Sequence, residues 1–195
     1  MNLPNILTLA RIPMMFIIVY LMRADFQWAA MAAFWAFVFA GITDWADGYF
    51  ARKMNLVSNF GILMDALTDK ILMLGLMIAL VEIERVHIFL VLLILGREFM
   101  ITGMRLVAAT KGVVVSAESS GKQKTVTQIL AVGAFLLQDV VVKDLSRFGF
   151  SFEETVERSL YWLGMGLFVL CVFMTLYSGY KYFVKYGVLV FSEDK

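Results

Sequence analysis

Charge is scarce in this chain. Of its 195 residues, 17% are Asp, Glu, Lys or Arg, and the formal net charge is +1. There is no basic arm, which argues against nucleic acid as a partner. A single cysteine, Cys171, excludes an intrachain disulfide and a zinc–cysteine cluster. The lone histidine, His87, falls in an expected loop without companions that would make it a metal ligand. Strand-type alternation is weak, which disfavours a transmembrane barrel. No 20–50-residue repeat and no low-complexity tract occurs. No basic leader precedes the first apolar run, so a cleaved signal peptide is not expected.

What fills the space is apolar. Hydrophobic residues make up 61% of the chain, and the mean hydropathy is +0.81. A soluble domain of this size would not be so apolar. Six apolar segments are expected, at about 5–22, 27–52, 58–81, 87–110, 122–142 and 157–183, several of them near the length needed to cross a bilayer. The fold expected is therefore all-α: one polytopic membrane domain over 1–195 with six transmembrane helices. Bases in the short breaks set the orientation. Arg52, Lys53, Lys111, Lys122, Lys124, Lys181, Lys185 and Lys195 fall on one side, and Arg23, Arg85, Lys143, Arg147 and Arg158 on the other, with most loop acids. That bias puts both termini in the cytoplasm.

The stretch from Asp44 to Asp69 stands out because it holds four aspartates. Asp44 and Asp47 are three apart, and Asp65 and Asp69 are four apart. On a helix each spacing keeps its pair on one face. The polar link RKMNLVSN between the pairs lets the chain turn back, so two helix ends with two carboxylates each can face each other. Four clustered carboxylates repel unless they bind protons or cations, and hard divalent ions take such oxygen ligands. Counting about 1.5 Å per residue, all four lie within roughly 16 Å of the cytoplasmic end of their segments, and Arg105 at roughly 8 Å. Lys122 and Lys124 fall at the mouth of the fifth segment. An acidic cluster thus faces a basic rim at one level. The other reading of the aspartates is helix caps and surface ion pairs, but too few bases lie in sequence reach to pair them all.

The order of residues is diagnostic. Asp44, two residues, Asp47-Gly48, two residues, Ala51-Arg52, eight residues, Gly61, three residues, Asp65, three residues, Asp69 resembles the signature of the CDP-alcohol phosphatidyltransferase family at every position. NLPNILTLARIP at the start, GREFMITGMRLVAATKG in the fourth segment and GKQKT after it extend the resemblance over the first two-thirds of the chain, toward the branch of the family that uses sn-glycerol 3-phosphate. The last third carries nothing diagnostic beyond a span.

The resemblance implies six transmembrane helices in a homodimer, with the site open to the cytosol. It implies transfer of the phosphatidyl group of CDP-diacylglycerol to an alcohol, with release of CMP. It assigns Asp44, Asp47 and Asp65 as metal ligands, with Asp69 sharing in that shell, around two divalent ions. Magnesium is the expected metal and manganese the alternative. Asp69 also matches the proposed general base; otherwise it only ligates metal. Gly48, Ala51 and Gly61 give a bare helix face that a nucleotide or diphosphate can approach, or else tight helix packing. Arg52 holds the diphosphate, braces an aspartate, or is an ordinary positive-inside residue.

An acceptor with its own phosphate needs a second anion pocket. Arg105, Lys122, Lys124 and Thr125 fit by depth and chemistry; the alternative for the two lysines is contact with anionic head groups. Arg97 is a further candidate. Glu98, Thr102 and Arg105 form one stripe, so that Glu98 positions Arg105 or sits in a buried ion pair. Asn5, Thr8 and Arg11 form a polar stripe on the first segment that lines the cavity or lies in a helix interface. The compact form suggests a bacterial cell membrane. GKQKT is not a phosphate loop, because Ser116 and Gln123 stand where that motif needs glycine and Ser or Thr. The competing readings are the same chemistry with another acceptor, such as inositol phosphate, and a small cation transporter, which would place its acids nearer the midplane.

Overall fold

A computed structural model describes residues 3–53, 59–110, 119–146 and 154–191, and the side chains of 9–43, 67, 68, 70–110, 123–146 and 154–187. Every regular element among them is helical: α1 (Leu3–Arg23), α2 (Ala29–Lys53), α3 (Asn59–Glu82), α4 (Ile88–Thr110), α5 (Ser119–Asp139) and α6 (Glu154–Phe191), with a π-helical turn, Val140–Leu145, continuing α5. The six helices coincide with the six expected segments to within a few residues, except that α6 runs eight residues past its expected end. By length and apolarity alone, two stretches qualify as membrane spans, Gln123–Leu145 and Glu154–Gly187, among the described residues.

The helices fall into two groups. α1 packs against both α2 and α3, α6 packs against α5 and α4, and α2 touches α5, while α3 makes only thin contact with α4 and α5. Small residues permit the closest approaches, as is usual where helices associate without water. Ala33 and Ala40 on α2 are fully buried. A Cβ at Gly75 would overlap the Met15 side chain, so α1 meets α3 there, and one at Gly164 would lie 3.2 Å from the Phe135 ring where α6 meets α5. One core cluster runs through both groups, with Ile18, Leu76, Leu80, Val132, Phe135 and Phe168 at its centre. Large apolar side chains such as Phe16, Trp35, Phe89, Leu106 and Phe173 remain exposed on the outer faces. A surface of that kind suits lipid rather than water.

The turns α1–α2 and α3–α4 and the π-helical turn lie at one end, called here the hairpin end. Its charges are committed to backbone and to each other. Lys143 Nζ donates to the carbonyl of Met22 in the last turn of α1 (3.1 Å). The neighbouring Asp144 Oδ2 accepts the backbone N–H of Met31 in the first turn of α2 (2.7 Å). The two adjacent side chains therefore cap one helix C-terminus and one N-terminus, each with the charge its dipole favours. Trp28, the residue before α2, cannot supply a capping oxygen, so Asp144 does so from another helix.

Asp139, 3% exposed, is ion-paired with Arg85, and Lys143 stands 3.7 Å from its other oxygen. Arg85 reaches it because α3 ends in a Schellman turn: Arg85 N–H bonds the Leu80 carbonyl (2.9 Å) and Glu84 N–H the Val81 carbonyl (3.0 Å). Glu84 holds the left-handed position, at φ 59°, that glycine ordinarily fills. His87 is explained locally as well: its Nδ1 accepts the Phe89 N–H at the start of α4 (3.4 Å).

Candidate active site

The opposite end carries the signature. α2 brings positions 44, 47, 48, 51 and 52 in its last turns, and α3 brings 61, 65 and 69 in its first half. α1 packs against both helices and carries positions 8 and 11 at the same end. The side chains of Thr8, Asp44, Asp47, Ala51, Arg52, Asp65, Asp69 and Lys122, and the surroundings of Gly48 and Gly61, lie outside the described residues. Arg11 is buried.

Among the described residues no three His, Cys, Asp or Glu side chains gather closely enough to hold a metal ion. The chemistry of the donor set fits such an ion at the signature: four carboxylates, all hard oxygen donors, at i, i+3 and i, i+4 on two helices joined through α1.

Beside this region, α3, α4 and α5 enclose a cavity of about 330 Å3. Lys124 and Thr125 line it from α5, Glu98 and Thr102 from α4, and Lys70 from α3. Lys124 is 5% exposed, and its ammonium is ion-paired with Glu98. Glu98 also accepts from Arg97 Nη1 (2.9 Å), and Arg97 Nη2 donates to Ser178 Oγ on α6. One carboxylate thus joins α4, α5 and α6. A buried lysine needs such a partner, since an unpaired ammonium away from water is costly.

The structure brings Lys124, Thr125 and Glu98 together but places Arg105 apart. Arg105 is exposed, is not among the residues lining the cavity, and lies over the Tyr182 ring, 5.7 Å from its centroid. Glu98 reaches across to α5 rather than along its own helix to Arg105. Arg97 belongs to the same network through Glu98 and Ser178.

Lys70 was not singled out by sequence reasoning. Its Nζ donates to Thr102 Oγ1 at 3.0 Å, and Thr102 in turn donates to the Glu98 carbonyl (2.8 Å). The signal was available: Lys70 is the only basic residue in α3.

Comparison with known proteins agrees with the signature. Residues 1–177 match the family described as CDP-alcohol phosphatidyltransferase. A protein of Bacillus subtilis (strain 168) named CDP-diacylglycerol–glycerol-3-phosphate 3-phosphatidyltransferase is 41% identical over 196 residues, 94% of each chain. One of the same name from Rickettsia typhi is 35% identical over 182 residues, 93% of this chain and 95% of its own. A third, from Arabidopsis thaliana and named as a second form, is 35% identical over 149 residues, 69% of this chain and 64% of its own. The match runs from the first residue into α6, through every signature position and the helices that carry them, and on it this membrane protein belongs to the CDP-alcohol phosphatidyltransferase family.

Proposed function

We propose that this chain transfers the phosphatidyl group of CDP-diacylglycerol to sn-glycerol 3-phosphate, giving phosphatidylglycerophosphate and CMP. The observation that carries this reading is the 41% identity, sustained over 94% of both chains, to a relative named for that reaction. The unbroken signature on α2 and α3 supports it.

The acceptor hydroxyl oxygen attacks the phosphorus that bears diacylglycerol. A new phosphorus–oxygen bond forms, the bond to the CMP phosphate breaks, and CMP leaves with the electron pair. Asp69 takes the hydroxyl proton as that oxygen attacks. Magnesium or manganese, as two ions held by Asp44, Asp47, Asp65 and Asp69, would neutralise the diphosphate and stabilise the departing oxygen. Gly48, Ala51 and Gly61 leave room for the nucleotide and diphosphate, and Arg52 binds the diphosphate. Lys122, Lys124 and Thr125 receive the acceptor's phosphate, with Arg97 behind them through Glu98, and Arg105, outside that cavity over the Tyr182 ring, joins them by swinging away from the ring when the acceptor binds. Thr8 and Arg11 border the site from α1.

All six helices are taken to span the bilayer. The shortest has 21 residues, enough for a hydrocarbon core of about 30 Å at about 1.5 Å per residue. The distribution of bases supports a cytoplasmic active site and cytoplasmic termini in a bacterial cell membrane, and the family resemblance supports a homodimer.

The test is CMP release by the purified chain given CDP-diacylglycerol and one acceptor at a time. Release is expected with glycerol 3-phosphate and a divalent metal, and not with inositol phosphate or serine. Release with another alcohol in place of glycerol 3-phosphate overturns the acceptor assignment. No acceptor-dependent release with any alcohol overturns the transferase reading and favours cation transport.

A further inference from the structure

Arg97 and Arg105 both stand where α4 meets α6, and the two are held differently. Arg97 Nη1 donates to Glu98 and Nη2 to Ser178 Oγ. Its stem passes so close to α6 that a Cβ at Gly179 would lie 3.0 Å from Arg97 Cγ. One turn on along both helices, Ile101 and Met104 pack against Tyr182, with Tyr186 beside it. There Arg105 lays its guanidinium over the Tyr182 ring, 5.7 Å from the centroid. A carboxylate and a hydroxyl fix the first arginine, and a ring face holds the second.

Tyr182 is 3% exposed, and its hydroxyl has no hydrogen-bond partner among the described residues. A buried phenol ordinarily finds one. What this side chain offers a charged neighbour is therefore its face, backed by the Tyr186 ring 4.8 Å away. Arg105 itself is exposed and shares the stripe of Glu98, which reaches α5 to hold Lys124. Turned off the ring, its long side chain points toward the first turns of α5, which carry Lys122, Lys124 and Thr125.

Two hosts thus compete for one cation. The ring is worth about a two- to fivefold preference at an exposed site. A guanidinium on a phosphate is worth about tenfold or more. A phosphorylated acceptor takes Arg105 from the ring, and an acceptor without phosphate does not. The acceptor's phosphate takes no part in the attack and stays on the product. A contact made equally before and after reaction lowers KM without raising kcat, and it holds the product back.

We propose that Tyr182 is a positioning residue that competes with the acceptor's phosphate for Arg105. The part of α6 beyond Ser178 thereby sets how tightly glycerol 3-phosphate is held and how readily phosphatidylglycerophosphate leaves. The identity of acceptor and product rests on the transferase reading; the competition requires only a phosphomonoester.

The experiment measures CMP release and equilibrium binding of labelled glycerol 3-phosphate on the full chain in micelles. Tyr182→Met fills the buried space without a ring. It should lower both the KM and the Kd for glycerol 3-phosphate by about two- to fivefold and tighten inhibition by phosphatidylglycerophosphate by the same factor. It should leave the KM for CDP-diacylglycerol unchanged and kcat no higher. Tyr182→Phe keeps the face and should restore the original KM. In the Arg105→Ala chain, Tyr182→Met should change nothing further. A fluorotyrosine at position 182, read by 19F NMR in the otherwise intact chain, should shift as glycerol 3-phosphate saturates, and should not shift with Arg105→Ala.

Unchanged or weaker acceptor binding in Tyr182→Met overturns the proposal. So does the same gain in the Arg105→Ala chain, which would make Tyr182 a packing residue only. If Tyr182→Met does not fold, a 19F signal indifferent to glycerol 3-phosphate overturns it instead. Binding without any CMP release removes the transferase reading and leaves the competition to be decided by Kd and 19F shift. Absence of glycerol 3-phosphate binding overturns both.

Discussion

At the hairpin end every buried charge described closes on a partner fixed by backbone: Asp144 on the start of α2, Lys143 on the end of α1, and Asp139 on Arg85 beyond the Schellman turn. At the signature end the pairing is less complete. Lys124 is matched by Glu98, but Lys70 has only a hydroxyl among its described partners and remains exposed, and Arg105 has an aromatic ring. The first arrangement locks helix ends together. The second leaves cations with capacity for an incoming anion. Substitutions at the two ends should therefore fail differently, one in folding and the other in chemistry.

The largest effect belongs to the signature. Asp69→Asn should cut turnover by about 10²–10⁴-fold, the range general-base catalysis supplies. CDP-diacylglycerol binding, measured by retention of labelled substrate, should stay mostly intact. Near-normal turnover would remove the base assignment. The hairpin end should show the converse. Asp139→Ala leaves Arg85 without its carboxylate and should cost about 2–3 kcal/mol, less than for a fully enclosed pair because Arg85 is 23% exposed. Thermal unfolding in detergent would show it. A loss of specific activity in the folded fraction, with no fall in melting temperature, would erase the contrast between the ends.

Arg105→Ala sharpens the comparison within the signature end. It should raise the KM for glycerol 3-phosphate by about tenfold, in line with one charge-assisted hydrogen bond, and leave that for CDP-diacylglycerol nearly unchanged. Equal effects on both would contradict a dedicated acceptor pocket. The smallest change expected is a gain: Glu84→Gly relieves the left-handed residue of the α3–α4 turn and should stabilise the fold by about 1 kcal/mol. No gain in melting temperature would mean that the Glu84 side chain contributes there.

The helices were legible because lipid leaves a chain few alternatives: apolar runs of this length become helices, and the polar breaks between them become turns. The signature was legible because it is local, with eight fixed residues over twenty-six positions. Contacts between helices were not. Register along α4 puts Glu98 and Arg105 on one stripe, yet nothing within that helix says that Lys124, 26 residues away, will take the carboxylate. The paired caps from Lys143 and Asp144 escaped notice for the same reason, since they act on α1 and α2 more than a hundred residues earlier. Lys70 could have been found from its solitude in α3, but its neighbour Thr102 lies on a different helix.

α6 carries one more consequence. Its 38 residues make a rod of roughly 57 Å, well beyond a hydrocarbon core of about 30 Å. Glu154 and Glu157 open it, and Lys181 and Lys185 near its far end sit over the rings of Tyr177 and Tyr186, so both overhanging ends carry groups suited to the interface. A bilayer of different thickness is then met by a change of tilt. Because Ser178 on this rod grips Arg97, and Arg97 grips Glu98, leaning it shifts the footing of the buried lysine beside the site.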